Sequence, residues 1–214
     1  MSEKREKKYA IRQFIIEAAR IYSEELAGKS FLYVYGNEYF EVSFPTDHFL
    51  HLTGVESMLT AKNFYKRAKK GQLTDKQFYF TSRHPFANAK KKLPSLKRIQ
   101  ELTNDAVCIL KEMSTNTVVY KLSISNLEFT LGLTEDVDKD NNKLSDYYLP
   151  MSLRVEESSV EKSSDWEIVD FILVKDLSNR LYDKLLYIDE NKRLPSLVHT
   201  LVSKELLEEC KLGE

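Results

Sequence analysis

The chain has 214 residues and a formal net charge of -1, and 42% of its residues are hydrophobic, 30% charged and 11% aromatic. With only six glycines and five prolines, it is neither collagen-like nor wholly disordered, and its length fits a single domain over residues 1–214. No apolar run reaches the roughly 18 residues of a membrane span, and the N-terminus is charged where a secretory signal is apolar. We therefore expect a cytoplasmic protein. Two cysteines, Cys108 and Cys210, are too few for a disulfide framework or a cysteine-rich zinc site.

The first part of the chain predicts a helix, a hairpin and a second helix. Apolar residues recur at helical spacing over residues 9–26 and Gly28 follows as a stop signal, which predicts an amphipathic helix. The runs FLYVY and EYFEVSF, separated by Gly36-Asn37, predict a β-hairpin. TAKNFYKRAKKG predicts a short basic helix between a cap at Thr60 and a stop at Gly71.

The second part of the chain changes from helical to strand periodicity. After an ambiguous segment, residues 73–86, the run LPSLKRIQEL predicts a helix over residues 93–102 with Ser95 as its N-cap. A last helix is expected over residues 196–212. Because helices come first and the strands afterwards, we expect an α+β fold with N-terminal helices and an antiparallel sheet. Five β-rich runs beyond the hairpin supply that sheet: AVCILKEM, TVVYKLSI, LEFTLGL, YYLPMSLRV and WEIVDFILVK.

The net charge conceals a strong segregation of charge along the chain. Residues 62–98 contain twelve basic residues and one acidic residue, a net charge of +11, so the remainder carries -12. Much of the negative charge lies in residues 135–170, whose net charge is -7. A basic block of this kind either contacts the phosphates of a nucleic acid or forms a solvated face. Phenylalanines and tyrosines are interleaved with the cations, and such rings either stack on unpaired bases or pack in the core.

Several function classes lack their motifs. The sequence has no phosphate-binding loop, dinucleotide fingerprint, zinc-protease motif or nucleophile elbow. The loop DVDKDNN begins like a calcium loop at Asp136, but Asn141 stands at the sharp-turn position and Tyr147 at the bidentate carboxylate position. We therefore expect no metal site and no cofactor.

Two of the four histidines flank one short turn. His48 and His51 would need a third ligand to bind a metal, and none is suitably spaced. His51 lies between leucines and is followed by Thr53 and Gly54, a setting that suits a structural hydrogen bond as well as proton transfer. His84 follows Arg83, and this pair suits phosphate chemistry.

Five segments in order resemble a known family: FLHLTGV, TAKNFYKRAKKGQL, NAKKKLPSLKRI, YYLPMSL and IVDFILVK. They are similar to the phage-associated nuclease-like domains grouped with barnase, EndoU, colicin and RelE ribonucleases. The FxHLTG core, Phe49 to Gly54, is the most specific of the five, and the resemblance covers residues 39–175. It implies a barnase/RelE-like α+β core over about residues 30–176, with helices 9–26 and 196–212 packed on it. It also implies an RNA-cleaving site in a protein encoded by phages or other mobile elements.

The resemblance carries over His51, Thr53 and Lys91 or Lys92 as catalytic residues. Metal-independent cleavage of RNA needs one group that takes the 2′-hydroxyl proton, another that protonates the 5′-oxygen, and cations for the phosphorane. His51 suits either proton transfer, and His84 and Lys175 are the candidates for its partner. The basic block predicts the residues that bind nucleic acid: Lys66, Arg67, Lys69, Lys70, Arg83, His84, Lys90, Lys97 and Arg98.

Two functional hypotheses follow. The first is a metal-independent ribonuclease of a phage or mobile element that acts as a toxin, with RNA as its substrate and an acidic antitoxin as a further partner. The second is a non-catalytic RNA- or protein-binding module on the same fold, because a shared fold does not transmit activity. Loss of RNA cleavage on substitution of His51 separates the two.

Overall fold

The computed structural model describes residues 3–155 and 159–210. Its helices are α1 (Glu3–Ile21), α2 (Phe49–Thr53), α3 (Ala61–Lys69), α4 (Phe86–Leu96), α5 (Glu101–Asn104) and α6 (Lys204–Glu209). A π-helical turn (Tyr22–Leu26) follows α1, and a 3-10 helix (Ser196–Leu201) precedes α6. The strands are β1 (Lys29–Tyr35), β2 (Glu38–Ser43), β3 (Glu56–Ser57), β4 (Phe78–Tyr79), β5 (Cys108–Ser114), β6 (Val119–Ser125), β7 (Thr130–Val137), β8 (Lys143–Arg154), β9 (Asp165–Ile168), β10 (Phe171–Asp176) and β11 (Lys184–Ile188).

The nine-stranded main sheet is mixed, with the order β11-β10-β1-β2-β8-β7-β6-β5-β9. Every neighbouring pair is antiparallel except β2 and β8, which run parallel. The expected antiparallel sheet is therefore correct for all but this pair. The chain passes through four helices and three strands of the main sheet between β2 and β8, and a connection of that length permits parallel pairing. Strands β3 and β4 form a separate small sheet.

The strand predicted from WEIVDFILVK divides into β9 and β10, which pair with different neighbours. β9 lies beside β5 and β10 lies beside β1. Between β9 and β10, the amide of Val169 donates to the carbonyl of Val107 at 2.9 Å. The amide of Asp170 donates to the carbonyl of Val34 at 2.8 Å. One continuous segment thus touches both β5 and β1, so the main sheet curls until these two strands approach each other.

Strand β1 is buried on both faces, unlike a typical strand of a half-exposed antiparallel sheet. Phe31, Tyr33 and Tyr35 belong to the large core beneath the N-terminal helices. Leu32 and Val34 belong to a second core, which is covered by the C-terminal 3-10 helix and α6. The sheet is therefore covered by helices on both faces at this end.

The first helix confirms its predicted stripe. Ile11, Ile15 and Ala18 are buried in the large core, and Tyr22 and Leu26 in the π-helical turn continue the stripe. The helix begins at Glu3, six residues before the predicted start, because the charged residues that precede the stripe are good helix formers. The predicted hairpin and the basic helix capped by Thr60 are also confirmed.

The helix predicted over residues 93–102 is wrong in position. Residues 86–96 form α4, in which Ala89, Leu93 and Leu96 make the buried stripe, and Ser95 lies inside the helix as one of its last residues. The three lysines before Leu93 hide this periodicity, and Pro94 removes one hydrogen bond near the helix end without stopping the helix.

The C-terminal part also differs from its prediction. The helix expected over residues 196–212 divides at Ser203, whose hydroxyl caps α6 by accepting from the amide of Leu206 at 3.2 Å. Residues 211–212 of that prediction lie outside the described residues. Strand β11 was not predicted. Among the residues that the structure describes, none of the helices has the length and apolarity to cross a membrane.

We predict that Gly132→Ala destabilises the sheet through a clash with Tyr120. A Cβ atom at residue 132 would lie 2.6 Å from Cδ1 and 2.9 Å from Cγ of that ring, and the ring is buried. Overpacking of this kind lowers the free energy of unfolding by about 1–3 kcal/mol, which denaturant titration measures. Adding Tyr120→Leu should recover part of the stability that Gly132→Ala removes, and equal destabilisation in both backgrounds would contradict the predicted clash.

Candidate active site

The FLHLTGV motif forms α2 and the tight turn that ends it. Phe49 and Leu52 face the core, whereas His51 on the same short helix is exposed. The helix ends at Gly54, whose φ of 73° lies in the left-handed region that glycine adopts without strain. The buried hydroxyl of Thr53 donates to the carbonyl of Leu50 at 2.7 Å, so it fixes the last turn from which His51 projects.

Gly54 also permits a close approach between α2 and α4. A Cβ atom at this residue would lie 3.2 Å from Cδ of Lys92 and 3.5 Å from the backbone of Ala89. The aliphatic stem of Lys92 therefore crosses the HLTG turn. Lys91, one residue earlier on α4, is exposed, and the three atoms nearest to that Cβ position belong to Lys92 and Ala89. Of the two lysines that the resemblance carried over, Lys92 is the one that the fold places against this turn.

His48 lies one helical turn before His51 and is anchored to the sheet. Its Nδ1 lies 2.8 Å from the carbonyl oxygen of Pro150 in β8. A carbonyl oxygen only accepts hydrogen bonds, so Nδ1 carries the proton. The rings of His48 and His51 are 6.1 Å apart between centroids. The pairing of β7 with β8 shifts by one residue at Met151, and this bulge lies directly after the anchoring carbonyl.

His84 reaches the same region from the turn between β4 and α4. Its amide donates to the hydroxyl of Thr81 at 3.1 Å, and the amide of Thr81 donates back to the carbonyl of His84 at 3.1 Å. The Thr81 hydroxyl in turn donates to the carboxylate of Glu56 at 2.7 Å. These bonds close the turn and hold His84, together with the exposed Arg83, at the start of α4.

The pKa of His51 depends on its surroundings and on three neighbouring titratable groups. Side chains crowded around its ring remove part of its hydration, and this desolvation lowers the pKa of His51 below the ordinary 6.5. The charges of His48 and His84 lower the pKa further, whereas the carboxylate of Asp47 opposes them. We name His48, His51, His84 and Lys92 the histidine cluster. At neutral pH the His51 ring is therefore mostly neutral and able to accept a proton.

The remaining residues predicted for catalysis or for nucleic-acid binding lie outside the histidine cluster. Lys175 lies on the opposite face of the sheet from α2, where its ammonium group is 3.9 Å from the Glu41 carboxylate and 3.2 Å from the Arg180 carbonyl. Lys97 is paired with Glu17 at 2.6 Å. The remaining predicted nucleic-acid contacts are solvent-exposed cations on α3, on α4 and in the turns beside them: Lys66, Arg67, Lys69, Lys70, Arg83 and Lys90.

Arg98 is also engaged within the fold. Its guanidinium group forms a two-bond pair with Glu101, at 2.7 and 2.8 Å, and a further bond to Glu128. These carboxylates raise the pKa of Arg98 further and offset its charge. Arg98 and Lys97 are thus less available to phosphates than the exposed cations of α3.

Sequence reasoning missed the role of His48. It weighed His48 only as a metal ligand, and within the described ranges no group of three or more His, Cys, Asp or Glu side chains is arranged to hold a metal ion. The available signal was the spacing of three residues between His48 and His51, which places both rings on one side of a helical turn. The anchor at Pro150 carried no comparable signal, because it depends on a backbone carbonyl.

The chain matches one known family of nuclease-like domains. A family model described as phage-Barnase-EndoU-ColicinE5/D-RelE like nuclease4 (PBECR4) matches residues 14–191. The chain belongs to this family. The match takes in the whole main sheet and all four members of the histidine cluster, so this nuclease-like domain carries the cluster within the region that defines the family. No curated protein and no solved structure matches the chain.

We predict that His84→Ala raises the pKa of His51. Removing a neighbouring positive charge favours protonation, so the pKa should move upward while remaining below 6.5, because desolvation persists. Titration of the histidine ring protons by NMR measures this pKa. His199→Ala is the matched control, since His199 lies on the C-terminal 3-10 helix, near the carbonyl of Leu194. An unchanged His51 pKa in His84→Ala would show that the charge of His84 does not act on His51.

Proposed function

We propose that this nuclease-like domain is a metal-independent endoribonuclease whose catalytic centre is the histidine cluster. The observation that carries the proposal is the pair of imidazoles on the short α2 helix, with the stem of Lys92 packed on the turn that ends this helix. The charge of His84 also acts on His51. Imidazoles exchange protons near neutral pH, and a positioned ammonium group stabilises a phosphorane. This set of groups supplies what RNA cleavage needs without a metal ion.

His51 acts as the general base in this mechanism. Its lowered pKa keeps it neutral at neutral pH, so it takes the proton of a ribose 2′-hydroxyl. The 2′-oxygen then forms a bond to the adjacent phosphorus. Protonated His84 donates its proton to the 5′-oxygen as the bond from phosphorus to that oxygen breaks. The products are a 2′,3′-cyclic phosphate and a free 5′-hydroxyl, and water restores the protonation of both rings.

Lys92, His48 and Thr53 have supporting roles in this mechanism. Lys92 lies against the HLTG turn through its aliphatic stem, and its ammonium group would stabilise the phosphorane oxygens. His48 is fixed to β8 through Nδ1 and holds the first turn of α2 against the sheet. Thr53 is a positioning residue, because its hydroxyl bonds to Leu50 inside the protein and is not directed to solvent.

The exposed cations beside the cluster bind the RNA backbone in this proposal. Helix α2 contacts both α3 and α4, so the two basic helices flank the helix that carries His51. Cations on them attract a polyanion and release its condensed counterions. The exposed members are Lys66, Arg67, Lys69, Lys70, Arg83 and Lys90.

The family and the charge distribution together support a toxin role. A phage nuclease with a block of net charge +11 presents a surface that an acidic antitoxin would cover, and such a partner would block access of cytoplasmic RNA to the cluster.

We predict RNA cleavage in EDTA and its loss in His51→Ala. A positioned base contributes roughly 100- to 10,000-fold, so kcat/KM on a single-stranded RNA should fall by at least about 100-fold. Because His51 must be unprotonated and its pKa is lowered, the acid limb of the kcat/KM profile should lie below pH 6.5. Gel-resolved cleavage at a series of pH values measures both.

The controls for this assay test the assignment within the cluster. His199→Ala should cleave like the wild type. Lys92→Ala should lose more activity than Lys91→Ala, because the stem of Lys92 packs on the HLTG turn whereas Lys91 is exposed. Equal cleavage by wild type and His51→Ala would remove His51 from the mechanism. RNA binding without cleavage by the wild type would favour the non-catalytic binding module.

We predict that the α3 cations set the salt dependence of RNA binding. On single strands, the slope of log affinity against log salt changes by about 0.7 for each phosphate that the protein no longer neutralises. Replacing four exposed cations in the last turns of α3 and at its C-cap by glutamine should therefore flatten the slope measured by fluorescence anisotropy. Lys97→Gln with Arg98→Gln is the matched control and should change the slope little, because both cations are paired with carboxylates. The reverse order of effects would place the RNA on another surface. The four replaced residues are Lys66, Arg67, Lys69 and Lys70.

A further inference from the structure

We propose that an aromatic cleft beside the histidine cluster holds one unpaired nucleobase of the RNA strand, an inference that rests on the proposed ribonuclease function. The cleft has a volume of about 530 Å³ and lies between the start of α1 and the segment that joins β4 to α4. We name it the aromatic cleft. Its lining residues are Glu3, Lys7, Lys8, Tyr79, Phe80 and Phe86.

The rings of the cleft are held in a fixed arrangement. Phe80 and Phe86 meet edge to face, with centroids 5.4 Å apart and an angle of 88°. Phe80 in turn meets the fully buried Phe78 at 6.1 Å, so the pair is anchored to the core. Tyr79 alternates with Phe78 along β4 and is 40% exposed. Rings that are already packed in this way are suited to stack on a flat ligand, because binding costs them little side-chain entropy.

The polar rim of the cleft fits the phosphates on either side of such a base. The charged residues that line the cleft are two lysines, Lys7 and Lys8, and one glutamate, Glu3, which pairs with Lys7. The ammonium group of Lys8 also lies 5.0 Å from the centroid of the Phe78 ring. The cleft therefore combines aromatic faces with a net positive rim, the combination that binds single-stranded nucleic acids without reading their sequence. A purely apolar protein segment would make no use of this net positive charge.

Two rings of the cleft flank, in the chain, the turn that carries a member of the histidine cluster. Phe80 and Phe86 flank the turn that carries Arg83 and His84, and the Thr81 bonds close this turn. A base stacked on the rings would therefore hold its strand next to His84. Duplex RNA keeps its bases paired and stacked on each other, so only single-stranded or looped RNA would use the cleft. The inference thus names unpaired RNA as the substrate class.

The test measures RNA affinity apart from cleavage. Every protein carries His51→Ala so that the RNA stays intact, and the probe is a fluorescein-labelled, single-stranded decaribonucleotide followed by anisotropy. Removing the stack of one base weakens binding by about 5- to 150-fold, which is the effect expected for Tyr79→Ala. Tyr79→Phe should restore the parent affinity. Tyr39→Ala is the matched control, since Tyr39 is also 40% exposed but lies on β2 outside the cleft.

A second probe decides what the cleft binds. On a strand of the same length with abasic residues, Tyr79→Ala should bind like its parent. Phe86→Leu, which keeps the apolar volume but removes a ring, should weaken only the base-bearing strand. Unchanged affinity in Tyr79→Ala, equal weakening on both strands, or a parent that binds no RNA would each overturn the proposal. Because binding is measured without turnover, failure of the cleavage mechanism would leave the result for the cleft readable.

Discussion

The burial of Tyr22 holds together the region on which the histidine cluster depends. Its ring meets those of Phe44, Phe49 and Tyr65 at centroid distances of 6.0, 5.3 and 5.8 Å, and its hydroxyl donates to the carbonyl of Pro45 at 2.9 Å. Burial raises the pKa of Tyr22 well above its ordinary value, so the hydroxyl remains a donor. These contacts join the end of α1 to the entry of α2, to α2 itself and to α3. A helix of five residues has no stability of its own, so tertiary contacts such as these fix where α2 presents His51.

Some charged side chains of the basic block form ion pairs within the fold, so they add little to the charge of the surface. Arg98 and Lys97 belong to the basic block of the sequence, yet each is paired with a carboxylate from outside that block. Asp75, the one acidic residue inside the block, pairs in turn with Arg12 of α1 at 3.2 Å. On the acidic side, Lys111 is surrounded by Glu38, Glu167 and Asp165, which offsets part of the negative charge near the edge of the sheet. The net charge of a segment therefore overstates the charge that a ligand meets.

Much of the site was accessible from the sequence because one short motif carries it. The family resemblance carried over His51 together with Lys91 or Lys92. The structure places Lys92 against Gly54, the left-handed glycine that ends the HLTG turn. His84 and Lys175 were equal candidates for the acid/base partner of His51 in the sequence. The strand register places Lys175 on the face of the sheet opposite α2. Single strands and helix faces follow from local periodicity. The parallel β2–β8 pair, strand β11 and the bounds of α4 depend on long-range packing and on lysines that mask an apolar stripe, so local patterns did not predict them.

The curl of the sheet has a consequence for the order in which the molecule is completed. β1 is the first strand of the sheet to be synthesised, yet the strand that covers its second edge is β10, far later in the chain. β8, which supplies both the parallel partner of β2 and the carbonyl that holds His48, also follows every residue of the basic block. A nascent chain can therefore expose every cation of the basic block while its sheet is still open and His48 lacks its anchor. The anchor of His48, and with it the proposed catalytic centre, is therefore completed only after every residue of the basic block has been synthesised.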